Sequence, residues 1–418
     1  MHALGSLWLA LAGCTDETAA DTAGAEAVTY ERDIRPIVER HCARCHSDEG
    51  SGAGDFTDPT IAAAFAERML VRIDAGEMPP PASDPACRSY QDDDRFVLDP
   101  AARDVIAAWI DGGKVIGEPV TLETPPAVAH LDDASHRLQT AAPYTPTFVD
   151  ANQYRCFLLD WEEPNDLFLT GFEFLIDEAS LSHHAVLFQD TNGKSAEYIT
   201  DPATQSWDCG ASPDYEWMYL HAWAPGSNPI RMTPGTGLKI AGGSHLVLQM
   251  HYFDAPASTE APDQPGYALT TATAVDTEVY MAPLGPESFR IPAGDASYTA
   301  SESYDIAGSV GLPLTITVYG GSPHMHVLGT SYDMTYRHPD GTETCLMRGD
   351  YDFDNQAAYW YDEPAVLPPD GGTIDVSCTW DNSAANPNQI HETPQDVTWG
   401  ENTDAEMCFA FLYFSYAL

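Results

Sequence analysis

Two cysteines separated by two residues and followed at once by a histidine, Cys42-Ala43-Arg44-Cys45-His46, are the densest chemistry in the chain. Thiols at that spacing can add to the two vinyl groups of a haem while the adjoining imidazole reaches the iron from one face, which is the c-type attachment motif. A zinc site or a redox pair is the competing use of Cys-x-x-Cys; the histidine that follows and a thioether further on favour haem. That thioether is Met78, in Gly76-Glu77-Met78-Pro79-Pro80-Pro81, where prolines stiffen a loop suited to fold over the second haem face. Met69 falls inside an Ala-rich helical pattern and reads as core packing. An iron ligated by His46 and Met78 would cycle by one electron with no open position, so the expectation is electron transfer and not oxygen chemistry at this haem.

A second group of donors lies in the latter half. His183 and His184 are adjacent in Leu181-Ser182-His183-His184. Neighbours on a regular strand point to opposite faces, so both rings reach one metal only if a bulge or strand end turns one of them. His251, in the stretch from His245 to Phe253, lies on the face opposite Leu246, Leu248 and Met250 and so can leave the packed side. His324 and His326, in Pro323-His324-Met325-His326, are spaced by two and share a face, which suits a chelating pair, while Met325 points away. Met407 closes the set, in the stretch from Trp399 to Cys408. Singly, a histidine is more often a satisfied structural residue than a ligand and a lone methionine is usually core; the set as a whole means more. His2, His41, His130, His136, His221, His245, His338 and His391 read as ordinary residues, with His221 the exception to watch because it adjoins the Trp223-Ala224-Pro225-Gly226 turn.

The elements that must hold these donors differ between the two parts of the chain. From Tyr30 an amphipathic stretch with Ile34, Ile37 and Val38 runs into the cysteine motif, and Ala101 to Gly113 shows helical spacing of Val105, Ile106, Trp109 and Ile110 with glycines past its end. The region from about Tyr30 to Gly113 resembles a small cytochrome c domain. Residues 116–145 are rich in Pro, Ala and Thr and read as a linker. Beyond them, short alternating segments broken by Gly, Pro, Asn and Asp predict an all-β sandwich: His245 to Phe253, Leu312 to Gly320, and a buried final strand from Cys408 to Leu418.

At 418 residues the chain exceeds one ordinary core, and its 44% hydrophobic content can fill two or three. Eighteen Lys and Arg against 64 Asp and Glu would repel phosphate backbones, which excludes nucleic acid as an expected partner. The acidity is spread along the chain, as a solvated surface would have it. Leu11-Ala12-Gly13-Cys14 after a short apolar run is a lipobox, although Lys and Arg are missing from the first residues. It predicts cleavage of residues 1–13, lipid on Cys14, and a polar acidic tether through residue 28. Export puts the nine cysteines in an oxidising compartment. With Cys14, Cys42 and Cys45 assigned, six remain, and disulfides are expected among them.

The latter half resembles the copper type II, ascorbate-dependent monooxygenases, the family of peptidylglycine α-hydroxylating and dopamine β-monooxygenases. From about Thr147 onward it carries in family order the His183-His184 pair, the Trp223-to-Gly226 turn, the Leu246-to-Tyr252 strand, the His324-Met325-His326 pair with Leu328-Gly329, the Ser377-to-Ser383 segment and Glu406-Met407-Cys408. The resemblance implies a first copper held by His183, His184 and His251 and an oxygen-binding copper held by His324, His326 and Met407. Ligand chemistry agrees: three imidazoles tolerate both copper states, whereas two imidazoles and a thioether favour Cu(I). A non-haem iron triad using Glu406 in place of Met407 is the rival assignment. The resemblance also pairs Cys378 with Cys408 and Cys156 with Cys209. Cys87 and Cys345 have no family counterpart, and a bridge between the haem and copper parts is one use open to them.

The expectation is thus a multidomain protein: an all-α cytochrome c domain at 29–115, then two all-β antiparallel, jelly-roll-like copper domains at 146–285 and 286–418. The family reaction puts one atom of dioxygen into a substrate C–H bond and releases the other as water, with two electrons delivered singly by ascorbate or another donor, here relayed by the haem from a redox partner. Peptide-hydroxylating relatives grip a carboxylate with an Arg at the position of Ser322 and with polar residues where Phe409 and Phe411 stand here. A small neutral or aromatic substrate is therefore expected, in a protein whose membrane association is a lipid anchor at the cell envelope. A non-catalytic copper and haem surface lipoprotein, storing copper or passing electrons, is the alternative class.

Overall fold

The computed structural model describes residues 27–418 apart from 48–49, 51, 122–129, 149–151, 211–215, 254–260, 306–307, 309–310 and 401–403. The signal and Cys14 readings lie outside the described residues.

Among the described residues, three α-helices precede twenty strands. Helix α1 (Arg35–His41) follows a turn of helix at Tyr30–Ile34; α2 spans Pro59–Asp74 and α3 spans Pro100–Asp111. Asp58 and Asp99 cap the latter two, each accepting from backbone N–H groups of the first turn, with Pro at the first helical position of both. The three helices share a small cluster built on Tyr30, Ile34, Val38, Met69, Ile106 and Trp109.

Contrary to the sequence expectation, these helices are not a separate all-α cytochrome c domain. The stretch between α2 and α3 is laid along the edges of two sheets. Asp84 N donates to Arg348 O at 2.7 Å, Gln91 N donates to Trp360 O at 2.8 Å, and bridges join Ser83 to Gly349 and Tyr90 to Tyr361. Tyr90 is buried inside the core of the last strands, and Cys87 is bonded to Cys345. The physical reason is twofold. Ala-rich helices bury few large side chains of their own, and the strands at Glu343–Asp350 and Tyr359–Leu367 would otherwise present unpaired backbone edges.

Two self-contained sandwiches are likewise not what forms. One large sheet runs in the order His136–Gln139, Gly266–Ala272, Leu167–Leu175, Thr236–Ile240, Thr277–Leu284, Cys408–Ala417, Thr315–Met325, Tyr359–Leu367, with Ile230–Arg231 beside Leu167–Leu175. Thr277–Leu284 joins the two parts, pairing parallel with Thr236–Ile240 and antiparallel with the final strand. Cys408–Ala417 is apolar enough to need partners on both edges, and it takes them from Thr277–Leu284 and Thr315–Met325. Tyr319, Trp360 and Tyr413 from the last part pack into the core of the preceding one.

Two further sheets carry the functional candidates or brace them. The five-stranded sheet runs Ser206–Asp208, Asn152–Leu158, His245–Phe253, Ser182–Asp190, Met218–Trp223; the four-stranded one runs Tyr298–Tyr304, Thr373–Trp380, Gly329–Arg337, Glu343–Asp350. Thr373–Trp380 alternates strictly, burying Ile374, Val376, Cys378 and Trp380. His245–Phe253 is covered on both faces, Leu246, Leu248 and Met250 in one core and Val247 in another. Cys156–Cys209 and Cys378–Cys408 are formed.

Candidate metal centre

The pairing of Ser182–Asp190 with His245–Phe253 shifts by one residue between Ser182 and His184, so the strand bulges at His183. The bulge breaks the alternation that would send neighbouring rings to opposite faces. His184 pairs directly with His251. Nδ1 of His184 consequently lies 3.2 Å from Nδ1 of His183 and 3.2 Å from Nδ1 of His251, and the donor atoms of all three residues fall within 4.8 Å of one another. Two nitrogens held by one ion at about 2.0–2.1 Å, with trigonal or tetrahedral angles, stand about 3.3–3.6 Å apart, so this spacing is close to that of a bound set.

The outer nitrogens have partners of their own. His251 Nε2 is 2.7 Å from Asn152 Oδ1, and His183 Nε2 is 3.6 Å from Asp354 Oδ1. A ring that donates from Nε2 keeps its Nδ1 lone pair for an ion, the usual division of labour around a metal. Tyr154 stacks on His251 with centroids 4.2 Å apart and planes at 6°. Burial, then the neighbouring imidazoles, hold His184 well below the usual histidine range and His251 at about 2. Both rings are therefore neutral at pH 7, as ligation requires.

The second pair sits where Thr315–Met325 runs antiparallel to the final strand, His324 opposite Phe409 and Met325 opposite Cys408. Met325 is fully buried in the core, and the two histidines flank it on the other face. His324 Nδ1 is 2.6 Å from Gln356 Oε1 and His326 Nδ1 is 3.0 Å from Ala405 O, so Nε2 is the nitrogen through which each ring would ligate. The two rings are 5.3 Å apart and nearly perpendicular. The pairing ends with Met325 opposite Cys408, and Met407 lies one residue beyond the paired stretch. Glu406 does something else with its carboxylate: it accepts from the backbone N–H of His326 at 2.9 Å and of Leu328 at 2.7 Å and from Trp380 Nε1 at 2.8 Å. Both oxygens are engaged in clamping the His-Met-His turn, which leaves the iron triad without its carboxylate. Phe411 stands 6.1 Å from the His324 ring, with Phe409 and Tyr219 beside it.

The cysteine motif opens on a cavity of about 530 Å3 lined by Cys42, Cys45, His46, Met69 and Met78 on one side and by Leu181, His183, Gly226, Phe253 and Asp354 on the other. Cys42 and Cys45 are thiols, whereas the other six described cysteines are bridged. Burial pushes the Cys42 thiol up to about 12. His46 Nδ1 lies 3.2 Å from Ala53 O, which directs Nε2 elsewhere. Arg95 lines the cavity, is 8% exposed, donates from Nη2 to Gly226 O at 2.7 Å, and has no partner at Nε. A buried guanidinium without a carboxylate partner is costly unless a ligand brings the anion. A haem, with two vinyls for the thiols and two carboxylates for the arginines, fits these residues.

His221 is buried against Phe172, with Nδ1 3.1 Å from Tyr267 OH, and burial depresses it to about 3; it is a core residue. Sequence reasoning missed Asn152, Phe353, Asp354, Gln356 and the clamping role of Glu406. None belongs to a spacing pattern; tertiary pairing alone brings them to the histidines.

No family model matches the chain, and no curated relative does. Among solved structures, the major capsid protein P2 of bacteriophage PM2 is similar at 6% identity and a TM-score of 0.24, covering 68% of this chain and 98% of that one. The VP2 subviral particle of infectious bursal disease virus is similar at 11% identity and a TM-score of 0.15, covering 70% and 79%. Likeness this low carries no argument about fold or function.

Proposed function

We propose that the chain is an exported, lipid-anchored, copper-dependent monooxygenase that hydroxylates a C–H bond of a small neutral or aromatic molecule with dioxygen, its electrons entering through a haem c on Cys42, Cys45 and His46 with Met78 as second ligand. The observation that carries this reading is the division of imidazole nitrogens. Three Nδ1 atoms converge in one cluster, and in the other both Nδ1 atoms are turned aside to Gln356 and to Ala405 O. Two sets that differ in donor atom suit two coppers of different duty, with Met407 the thioether this reading assigns to the second.

When bound, the coppers and the haem would supply one-electron steps and dioxygen reduction. The chain's own residues would do the rest. Asn152 and Asp354 hold His251 and His183 with their lone pairs inward; Gln356 and Ala405 do the converse for His324 and His326. Phe409, Phe411 and Tyr219 form an aromatic, uncharged surface beside His324, which favours a flat neutral substrate over a carboxylate.

Metal analysis and oxygen uptake test the reading together. Two coppers and one iron per chain are expected, with oxygen consumed in step with hydroxylated product. A chain that is reduced once and then takes up no oxygen is the alternative, an electron-transfer or copper-binding lipoprotein. Turnover of a C-terminal glycyl peptide as fast as any small aromatic overturns the substrate assignment.

A further inference from the structure

The segment Asp352–Gln356, between strands Glu343–Asp350 and Tyr359–Leu367, touches all three candidate sites within five residues. Phe353 has its ring 4.8 Å from that of His183 and 6.4 Å from that of His326, so one phenyl group neighbours both imidazole clusters. Asp354 faces His183 Nε2 at 3.6 Å, and Gln356 holds His324 Nδ1 at 2.6 Å. Asn355 donates from Nδ2 to Pro81 O at 2.9 Å, on the loop that carries Met78. Asp352, Asp354 and Asn355 line the cavity of the cysteine motif, and His183 forms part of the same wall.

We propose that this segment is the brace that fixes the three centres relative to one another, and that Phe353 is the positioning residue across which an electron passes from the His183/His184/His251 cluster to the His324/His326/Met407 cluster. The inference rests on the functional reading above and deepens it. A ring packed beside both clusters helps hold them at one separation, whereas an open cleft would let the separation vary. The first cluster needs no such intermediary, because His183 already borders the cavity. With the groups bound, one electron from a reduced haem would convert the Cu(II) at His183/His184/His251 to Cu(I) and then pass across Phe353 to the Cu(II) held by the other cluster; a second electron from the haem would then reduce the first copper again. No bond is made or broken in this transfer.

The test uses the full chain loaded with haem and two Cu(II), reduced by an excess of a reduced cytochrome too large to reach the buried imidazoles. Cu(II) spins are counted by freeze-quench electron paramagnetic resonance. Phe353→Leu, which keeps an apolar filling, should lose the first Cu(II) at the wild-type rate and the second at least tenfold more slowly, and Phe353→Tyr should restore the second phase. Equal rates of both phases in wild type and Phe353→Leu overturn the inference while leaving the functional reading standing. A Leu variant slowed equally in both phases overturns it too, since that is the signature of general loosening. Wild-type protein that binds no copper, or whose Cu(II) does not decline, overturns the functional reading and this inference together.

Discussion

Asn152 and Gln356 show how a side chain that never appears in a ligand pattern selects the ligand atom. Each is an amide whose oxygen takes one ring nitrogen, Nε2 of His251 in one case and Nδ1 of His324 in the other, and so decides which nitrogen faces inward. Asn152→Ala should weaken copper binding at the three-histidine cluster about 10–100-fold, the cost of removing such an outer partner, with the other cluster unchanged. Competition titration with a chelator of known affinity reads both sites, and an unaltered constant would remove Asn152 from this role. Asp263 is a residue-scale case of a different kind. It is fully buried, accepts from Glu178 N at 2.9 Å, and burial raises its carboxyl to about 6. A folded-state value above the unfolded one, about 4, means that its contribution is fully present below about pH 4 and is lost as the pH rises through about 6. Between pH 4 and pH 7 the wild type should lose about 2 kcal/mol more stability than Asp263→Asn, measured by denaturant unfolding. Parallel pH profiles for the two proteins would refute this.

At the scale of elements, periodicity was a good guide wherever one face is buried. In His245–Phe253 Leu246, Leu248 and Met250 mark one core face as the alternation predicts, while the opposite face, with Val247 and His251, is buried as well, and the helix predicted over Ala101 to Gly113 forms at Pro100–Asp111. The adjacent histidines demanded an irregular strand, and a bulge lies at His183. Glu406 was harder. Its buried carboxylate takes three donors around the His-Met-His turn, a role set only once the final strand is paired. The stretch from Pro79 to Val97 carried no period at all. Its apolar residues, Tyr90 and Phe96, are isolated anchors that dock on other strands, so no local pattern announces them.

At the scale of the whole molecule, the Cys87–Cys345 bond closes a loop of 258 residues and ties the helical part to the sheets. Removing it as the Cys87→Ser/Cys345→Ser pair should cost about 2–5 kcal/mol and expose the Pro79-to-Val97 stretch. Thermal melting and limited proteolysis at Arg88 check both effects, and an unchanged melting point with unchanged cleavage would contradict them. The amino-acid sequence by itself determined the donor inventory, the cysteine motif and the three strands named from alternation, at His245–Phe253, near Thr315–Met325 and at Cys408–Ala417, because each is written in residue type and local spacing. It also carried the even count of six cysteines. The tertiary structure alone decided that the stretch between the helices is fastened to the sheet edges, that one sheet spans both parts of the latter half, and that Phe353 comes to lie beside both sets of histidines. These are contacts between residues far apart in the chain, settled by which edges and faces are left to be buried, and no local period encodes such a choice.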